Sequence, residues 1–87
     1  MNYRVPDHVH FRNLHGEVVL LDTKTDAYLG LNQTAAVAWE VLAGGGSPEA
    51  AAASLVARFD VAPEVAQADV AALVGDLLAR GLIEAVA

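Results

Sequence analysis

The sequence predicts an α+β fold in which three short antiparallel strands precede three helices. Up to about residue 31, apolar residues come in short runs that suit strands. From Asn32 onward the sequence is rich in alanine, and its apolar residues recur at the three- and four-residue spacing of a helix face. A chain of 87 residues has room for one compact domain, so we treat residues 1–87 as a single unit.

Three runs of residues predict the strands. The first covers residues 9–14, and the His-Gly pair at 15–16 predicts a tight turn after it. The second covers residues 17–22, and its four consecutive apolar residues predict a central strand that is covered on both faces. A polar turn at 22–26 then leads to a third strand over residues 27–31. Together these runs predict an antiparallel meander.

Capping residues mark the helices. Asn32 predicts the start of the first helix, and the glycines at 44–46 predict its end. The Ser-Pro pair at 47–48 predicts the start of the second helix, because serine caps and proline suits the first helical position. The third and longest helix is expected over residues 63–80, with Gly81 just after its end.

Apolar positions on these elements predict the core. The second helix is expected to bury Ala52, Leu55, Val56 and Phe59. The large core side chains are expected to be Leu31, Trp39, Leu42, Leu55 and Phe59. The residues Leu82, Ile83 and Glu84 predict a short final extended segment that packs back on this core.

The charge balance excludes several classes of partner. Five Lys and Arg residues stand against eleven Asp and Glu residues, a net charge of −6, and no two of the basic residues are adjacent. Proteins that bind phosphate backbones or anionic membranes need clustered basic residues, so we expect neither nucleic acid nor membrane as a partner. The sequence has no cysteine, which excludes disulfides and thiolate chemistry and suits a cytoplasmic protein.

The sequence holds no pattern that indicates catalysis or a cofactor. It contains no phosphate-binding glycine loop, no nucleophile elbow and no zinc-binding HExxH motif. His8 and His10 would share a strand face, but two imidazoles without a third ligand do not make a metal site. Asp76 and Arg80 have the four-residue spacing of an ion pair on a helix surface. We therefore expect no enzyme activity, no metal and no cofactor.

The third strand and the third helix offer a binding site. Residues 27–31 carry no lysine, no proline and no charge, so this strand lacks the usual protection of a sheet edge. Such an edge accepts an added strand from a peptide. The third helix has an apolar arc of about 140°, wider than one contact needs, formed by Val70, Leu73, Val74, Leu77 and Leu78. The alternative is that the strand pairs within the fold and the helix packs on two sides.

Over residues 9–84 the sequence resembles the PqqD-like family of RiPP recognition elements, small domains that bind the leader segment of a ribosomally made precursor peptide. The resemblance lies in the order of six stretches: Val19–Asp22, Tyr28–Asn32, Ala35–Leu42, Leu55–Val61, Asp69-Val70 and Leu77–Ile83. It implies a winged-helix-like fold with the leader bound as an added strand between the third strand and the third helix. The turn at residues 24–27 lacks the glycine that the family often has there, which leaves the strand register open.

Within the family, the Tyr28 strand and the Val-Ala-Trp helix are most like the standalone proteins of lasso-peptide clusters. That resemblance implies three partners: a precursor leader with a Tyr-x-x-Pro element, a cysteine-protease-like leader peptidase and a macrolactam synthetase. Three alternatives stay open. They are a peptide chaperone of pyrroloquinoline quinone biosynthesis, a module that pairs with its own copy, and a DNA-binding winged helix, which the acidic third helix disfavours.

The peptide-binding residues are predicted on both sides of this groove. The backbone of the third strand would pair with the leader, with Tyr28 and Leu29 adding side-chain contacts. Apolar residues of the third helix would form the floor, and Asp69 and Asp76 would lie at the rim. The full predicted set is Ala27, Tyr28, Leu29, Gly30, Leu31, Asp69, Val70, Leu73, Val74, Asp76 and Leu77.

Overall fold

The computed structural model describes residues 2–86 and confirms the α+β fold, with three antiparallel strands followed by three helices. A short strand is added at each end of the described chain. The elements are β1 (Asn2–Arg4), β2 (Val9–Leu14), β3 (Glu17–Asp22), β4 (Ala27–Leu31), α1 (Gln33–Ala43), α2 (Pro48–Arg58), α3 (Pro63–Ala79) and β5 (Glu84–Val86). The strands β2, β3 and β4 form one sheet in that order, and β1 pairs with β5 in a second, two-stranded sheet.

The two turns of the larger sheet use different chemistry. Between β2 and β3, His15 and Gly16 have φ of 56° and 84°, as a two-residue hairpin turn requires. Between β3 and β4, Asp26 takes the left-handed position with φ of 59°, where glycine is the usual residue. The side chain of Asp22 closes this turn, because its Oδ1 accepts a hydrogen bond from the Lys24 backbone N–H at 2.9 Å. The turn without glycine thus keeps β4 in register with β3.

The central strand β3 is covered on one face only. Val18 and Leu20 are buried on the inner face, against which α1 packs. On the outer face Val19 is half-buried and Leu21 is exposed. The prediction of a strand covered on both faces is therefore wrong. A continuous apolar run does not say whether a second layer exists, and α1 covers only the side that faces the core.

Helices α1 and α2 begin at the expected capping residues. Asn32 Oδ1 accepts a hydrogen bond from the Ala35 N–H at 2.9 Å, and Ser47 Oγ accepts one from the Ala50 N–H at 3.0 Å. Pro48 stands at the first position of α2, where its missing N–H leaves no helical hydrogen bond unmade. These side chains satisfy backbone donors that the first turn of a helix leaves free.

Two helices end in the same motif. At the end of α3, the Leu82 N–H donates to the Leu77 carbonyl at 2.9 Å and the Gly81 N–H donates to the Leu78 carbonyl at 3.1 Å. These are the two bonds of a Schellman motif, and Gly81 has the φ of 72° that the motif needs. The end of α1 repeats the pattern at its glycine run. Helix α3 ends at Ala79, one residue before the predicted end.

The core lies between the inner face of the sheet and the three helices. Trp39 is fully buried at its centre, and the ring of Phe11 meets it edge-on with centroids 5.2 Å apart. Four of the five predicted large core residues are buried, namely Leu31, Trp39, Leu42 and Leu55. The fifth, Phe59, is half-buried and packs against the core. In α2 the prediction for Val56 is wrong, because Val56 is exposed and Ala51 is buried in its place.

The ends of the described chain close the fold beside the core. Leu82 and Ile83 are buried, as expected for the final segment. The strand β5 that follows them pairs with β1, whose Tyr3 side chain is buried in the core and whose Arg4 forms an ion pair with Glu84. Within residues 2–86, no helix is both long enough and apolar enough to cross a membrane.

Candidate functional site

The strand β4 is an outer strand of its sheet. It pairs with β3, and no other strand within residues 2–86 pairs with its second edge. Its side chains alternate: Leu29 and Leu31 lie opposite inward-facing residues of β3, while Tyr28 and Gly30 lie on the outer face. Tyr28 is 77% exposed. The free edge therefore presents unpaired backbone N–H and C=O groups beside an exposed aromatic ring.

A groove separates β4 from α3. The two elements make little direct contact, because α1 and the sheet meet on one side while α3 packs mainly on α2. One cavity lies between α1 and α3, next to the residue that follows β4, and another lies between the start of β4 and the end of α3. The first cavity, of about 320 Å³, is lined by Asn32, Thr34, Ala35, Ala38, Leu55, Asp69, Val70, Ala72 and Leu73. The second cavity, of about 190 Å³, is lined by Asp22, Thr25, Ala27, Tyr28, Leu29, Arg80 and Leu82.

The wide apolar arc of α3 is divided between core and groove. Val74 and Leu77 are buried in the core cluster and line neither cavity. Val70 is also buried but has atoms on the wall of the first cavity. Leu73 is half-buried and lines the same cavity, whereas Leu78 is exposed. Within this arc, Leu73 is thus the side chain that is both partly exposed and part of a cavity wall.

The two predicted rim aspartates have different surroundings. Asp69 is exposed, lines the first cavity and forms no ion pair with any residue from 2 to 86. Asp76 lines neither cavity, and both of its carboxylate oxygens accept from Arg80 Nε at 3.1 Å. Arg80 itself lines the second cavity. Near the end of α3, the charged group of this pair that borders the groove is therefore the guanidinium of Arg80 rather than the carboxylate of Asp76.

Sequence reasoning did not include several residues that line the cavities. Asn32 and Thr34 line the first cavity, and Asp22, Arg80 and Leu82 line the second. The sequence predicted Asn32 only as a helix cap. It also predicted the ion pair of Arg80 with Asp76, but the spacing gave no indication that Arg80 would line a cavity with β4. Asp22 lies at the end of a strand and 58 residues before Arg80 (80 − 22), so only the folded chain brings them to one cavity.

The histidines do not gather into a metal site. His8 lies before β2, with Nε2 3.9 Å from Asp22 Oδ1, and His10 is exposed within β2. Across the described part of the chain, no three His, Cys, Asp or Glu side chains come together in an arrangement able to hold a metal ion. The chemistry of this groove is therefore that of an open strand edge, apolar cavities and a few fixed charges.

Comparison with known proteins gives a family and two related structures. The family model of coenzyme PQQ synthesis protein D (PqqD) matches residues 17–83. The structure of TbiB1 in complex with the TbiA(beta) leader peptide has a TM-score of 0.87 and 27% sequence identity, covering 97% of this chain and 98% of that chain. The structure of lasso peptide synthetase B1 complexed with the leader peptide has a TM-score of 0.87 and 30% identity, covering 98% and 100%. No curated protein sequence matches this chain significantly.

Proposed function

Because the chain belongs to the PqqD family, we propose that it binds the leader segment of a ribosomally made precursor peptide, namely a lasso-peptide precursor. The observation that carries this proposal is the open edge of β4 beside α3, in a chain whose length matches that of two proteins crystallised with leader peptides. The chain is a binding module rather than an enzyme. We propose residues 1–87 as one leader-recognition domain.

Strand addition supplies the main binding energy in this proposal. The leader lies along β4 as a fourth strand, and its backbone pairs with the free N–H and C=O groups of residues 27–31. Backbone pairing demands little of the leader sequence, so specificity comes from side chains. Because side chains alternate along a strand, every second leader residue faces the groove and the others face outward beside Tyr28.

The groove then reads the inward-facing leader residues. Leu29 and Leu73 supply the open apolar surface, while Val70 closes the wall of the first cavity. Leu31, Val74 and Leu77 support this surface from the core rather than by direct contact. The tyrosine or the proline of a Tyr-x-x-Pro element suits the largely apolar wall of the first cavity. These three core residues therefore hold the groove side chains in position without touching the leader.

Charge contributes at the rim. Asp69 lies beside the first cavity without an ion-pair partner in residues 2–86, so it meets a basic or hydroxyl group of the leader. Asp76 acts through Arg80, whose guanidinium it holds near the second cavity. With a net charge of −6, the chain attracts a basic leader over a Debye length of about 10 Å at 0.1 M salt.

The bound leader is presented to other proteins in this proposal. A cysteine-protease-like leader peptidase and a macrolactam synthetase act on the precursor in the cytoplasm while the adaptor holds its leader. A DNA-binding role is disfavoured, since α3 and its cap carry one arginine against Glu64, Asp69 and Asp76.

Fluorescence anisotropy with a labelled lasso-type leader tests the proposal. We expect binding to a leader that contains Tyr-x-x-Pro and loss of binding when both residues are changed to alanine. A second series places N-methyl groups on successive leader amides. Strand addition uses every second amide, so binding should be lost with a period of two.

Three results would argue against parts of the proposal. Equal binding to both leaders would leave an edge-strand adaptor without lasso specificity. A uniform response to N-methylation would remove strand addition. No binding to either leader would favour self-pairing through β4 or the pyrroloquinoline quinone chaperone, a role that the name of the family suggests. Sedimentation of the free chain separates the last two, because self-pairing predicts a dimer.

A further inference from the structure

The second cavity contains a carboxylate that is almost completely buried. Asp22 is 7% exposed and lies at the end of β3. Its Oδ1 accepts a hydrogen bond from the Lys24 N–H, and His8 Nε2 is 3.9 Å from the same oxygen. Oδ2 accepts no hydrogen bond from residues 2–86. Trp39 Nε1 is the unpaired side-chain polar atom in this range that is sealed from solvent, so Asp22 Oδ2 keeps some exposure, and Asp22 is one of the residues that line the cavity. A carboxylate oxygen of so buried a residue needs a hydrogen-bond donor once a ligand displaces water from it.

Unused donors line the same cavity. Arg80 Nε donates to Asp76, and the two terminal nitrogens of this guanidinium donate to nothing within the described chain. A guanidinium has five N–H groups and accepts no hydrogen bond. The rest of the lining is mostly apolar, with Ala27, Tyr28, Leu29 and Leu82, and it includes the hydroxyl group of Thr25. The cavity therefore offers a carboxylate acceptor and guanidinium donors beside a mostly apolar wall.

We infer that the second cavity binds a neutral side chain of the leader that both donates and accepts hydrogen bonds, best met by the carboxamide of Gln or Asn. This inference rests on the proposed function, because the side chain is delivered by a peptide strand on β4. The amide nitrogen donates to Asp22 Oδ2, and the amide oxygen accepts from Arg80. The cavity borders Ala27, Tyr28 and Leu29, so one inward-facing residue of an added strand enters it.

The other classes of side chain fit this cavity less well. A carboxylate would face Asp22, a like charge in a poorly solvated site. A lysine or arginine could pair with Asp22, but the guanidinium of Arg80 would repel it, and it offers no acceptor to the Arg80 donors. An apolar side chain would bury Asp22 Oδ2 without a hydrogen-bond partner. An unpaired buried polar group lowers affinity for the wrong side chain more than the loss of one methylene contact does. The volume of about 190 Å³ accommodates a carboxamide side chain.

Asp22 also closes the turn before β4, so the test must separate that role from recognition. Asp22→Asn keeps an oxygen to accept from the Lys24 N–H and replaces the open oxygen with an NH₂ donor. The cavity of this variant offers donors only. Its preferred ligand side chain should therefore change from Gln to Glu, while the turn remains closed. Arg80→Gln removes the charge from the other wall, and Arg58→Gln is the matched control on a surface away from the groove.

The experiment selects peptides from a display library of random 14-residue sequences against the wild-type chain. Peptides that bind β4 are identified by loss of binding when alternate amides are N-methylated. For one such peptide, the residue that enters the second cavity is changed in turn to Gln, Glu, Lys and Leu, and binding is measured by anisotropy. The wild-type chain and the Arg58→Gln variant should prefer Gln over Glu by about tenfold or more. Asp22→Asn should reverse this order, and Arg80→Gln should weaken the Gln peptide.

Each other result overturns a stated part of the argument. If no peptide depends on the β4 edge, the proposed function fails, and this inference fails with it. If such peptides are recovered but Asp22→Asn keeps the wild-type order, Asp22 is only a turn residue and the inference alone fails. Preference for Leu at this position in the wild-type chain also overturns it. If circular dichroism shows that Asp22→Asn is poorly folded, the Arg80→Gln variant decides the question. An unchanged ratio of the affinities for the Gln and Leu peptides in Arg80→Gln then overturns the inference.

Discussion

Replacement of Leu73 by alanine separates groove from core on one helix. Leu73 is half-buried on the wall of the first cavity, and Leu77, one turn later on α3, is fully buried in the core. Both changes remove the same three carbon atoms from the same helix. Differences between the two variants therefore report the surroundings of the side chain rather than the chemistry of the substitution. Leu77→Ala is the matched control.

The expected free energies follow from this burial. A stability of about 0.05–0.15 kcal/mol per residue gives this 87-residue chain about 4–13 kcal/mol in all. Leu77→Ala should cost about 3–5 kcal/mol of it, because a fully buried leucine leaves a cavity. Leu73→Ala should cost about 1–2 kcal/mol, since part of its surface is already in water. Its remaining surface becomes buried under the leader, so its loss should weaken leader binding by about 1 kcal/mol, roughly fivefold.

Two measurements on each variant test this reasoning. Urea denaturation gives the free energy of unfolding, and anisotropy with the labelled leader gives the dissociation constant of the folded protein. We expect Leu73→Ala to stay folded and bind about fivefold more weakly, and Leu77→Ala to lose about 3–5 kcal/mol of its free energy of unfolding. Equal destabilisation by both variants, with unchanged leader affinity for folded Leu73→Ala, would refute the division of α3 into groove and core.

Three further predictions concern charge, capping and backbone conformation. Leader binding should weaken as ionic strength rises, measured by anisotropy in an NaCl series. Asp69→Asn should reduce the dependence of the dissociation constant on salt concentration. If this dependence is the same in the variant, Asp69 is not part of the site. Asn32→Ala should lower the free energy of unfolding by about 1 kcal/mol in urea titration, because the Ala35 N–H loses its cap; no loss would contradict the cap. Gly81→Ala should cost about 1–2 kcal/mol, since alanine is strained at φ of 72° although no neighbour lies within 4 Å. The control Gly75→Ala, also in open space but within α3, should instead add about 0.5–1 kcal/mol, and the same sign for both would contradict the conformational argument.

The strands of the larger sheet and the caps could be predicted because their signals are local. Each strand run is bounded by turn residues, and each predicted cap needs only the next three residues of the chain. The paired terminal strands could not be predicted. Each has three residues, too few for a periodic pattern, and their pairing joins positions at least 80 residues apart, such as Arg4 and Glu84. Such strands are defined by their partner, which the sequence does not name.

The candidate site was predictable as a strand edge beside a helix, but its detailed lining was not. Exposure of β4 follows from its sequence and its place in the meander. Which members of the α3 arc face the groove depends on how α3 sits on α2, a tertiary property. The same limit applies to Val56, which fits the apolar spacing of α2 yet is exposed, whereas Ala51 and Ala52 of the same helix are buried. Asp22 and Arg80 line one cavity only because α3 ends beside the start of β4.

The open edge of β4 and the two cavities imply that the free domain is less stable than the same domain with a leader bound. Backbone groups of β4 pair with water, and apolar wall atoms such as those of Leu29 and Leu73 lack neighbours on one side. A leader strand that pairs the edge and fills the cavities binds only the folded chain, so it raises the free energy of unfolding by about 2.7 kcal/mol at 100 times its dissociation constant. For a domain of this size, that corresponds to an increase in Tm of about 10–20 °C. Calorimetry with and without leader measures it, with the Tyr-x-x-Pro alanine peptide as control. A leader that binds by anisotropy but leaves Tm unchanged must contact the unfolded chain equally well, which would contradict a site built from the folded edge of β4 and the face of α3.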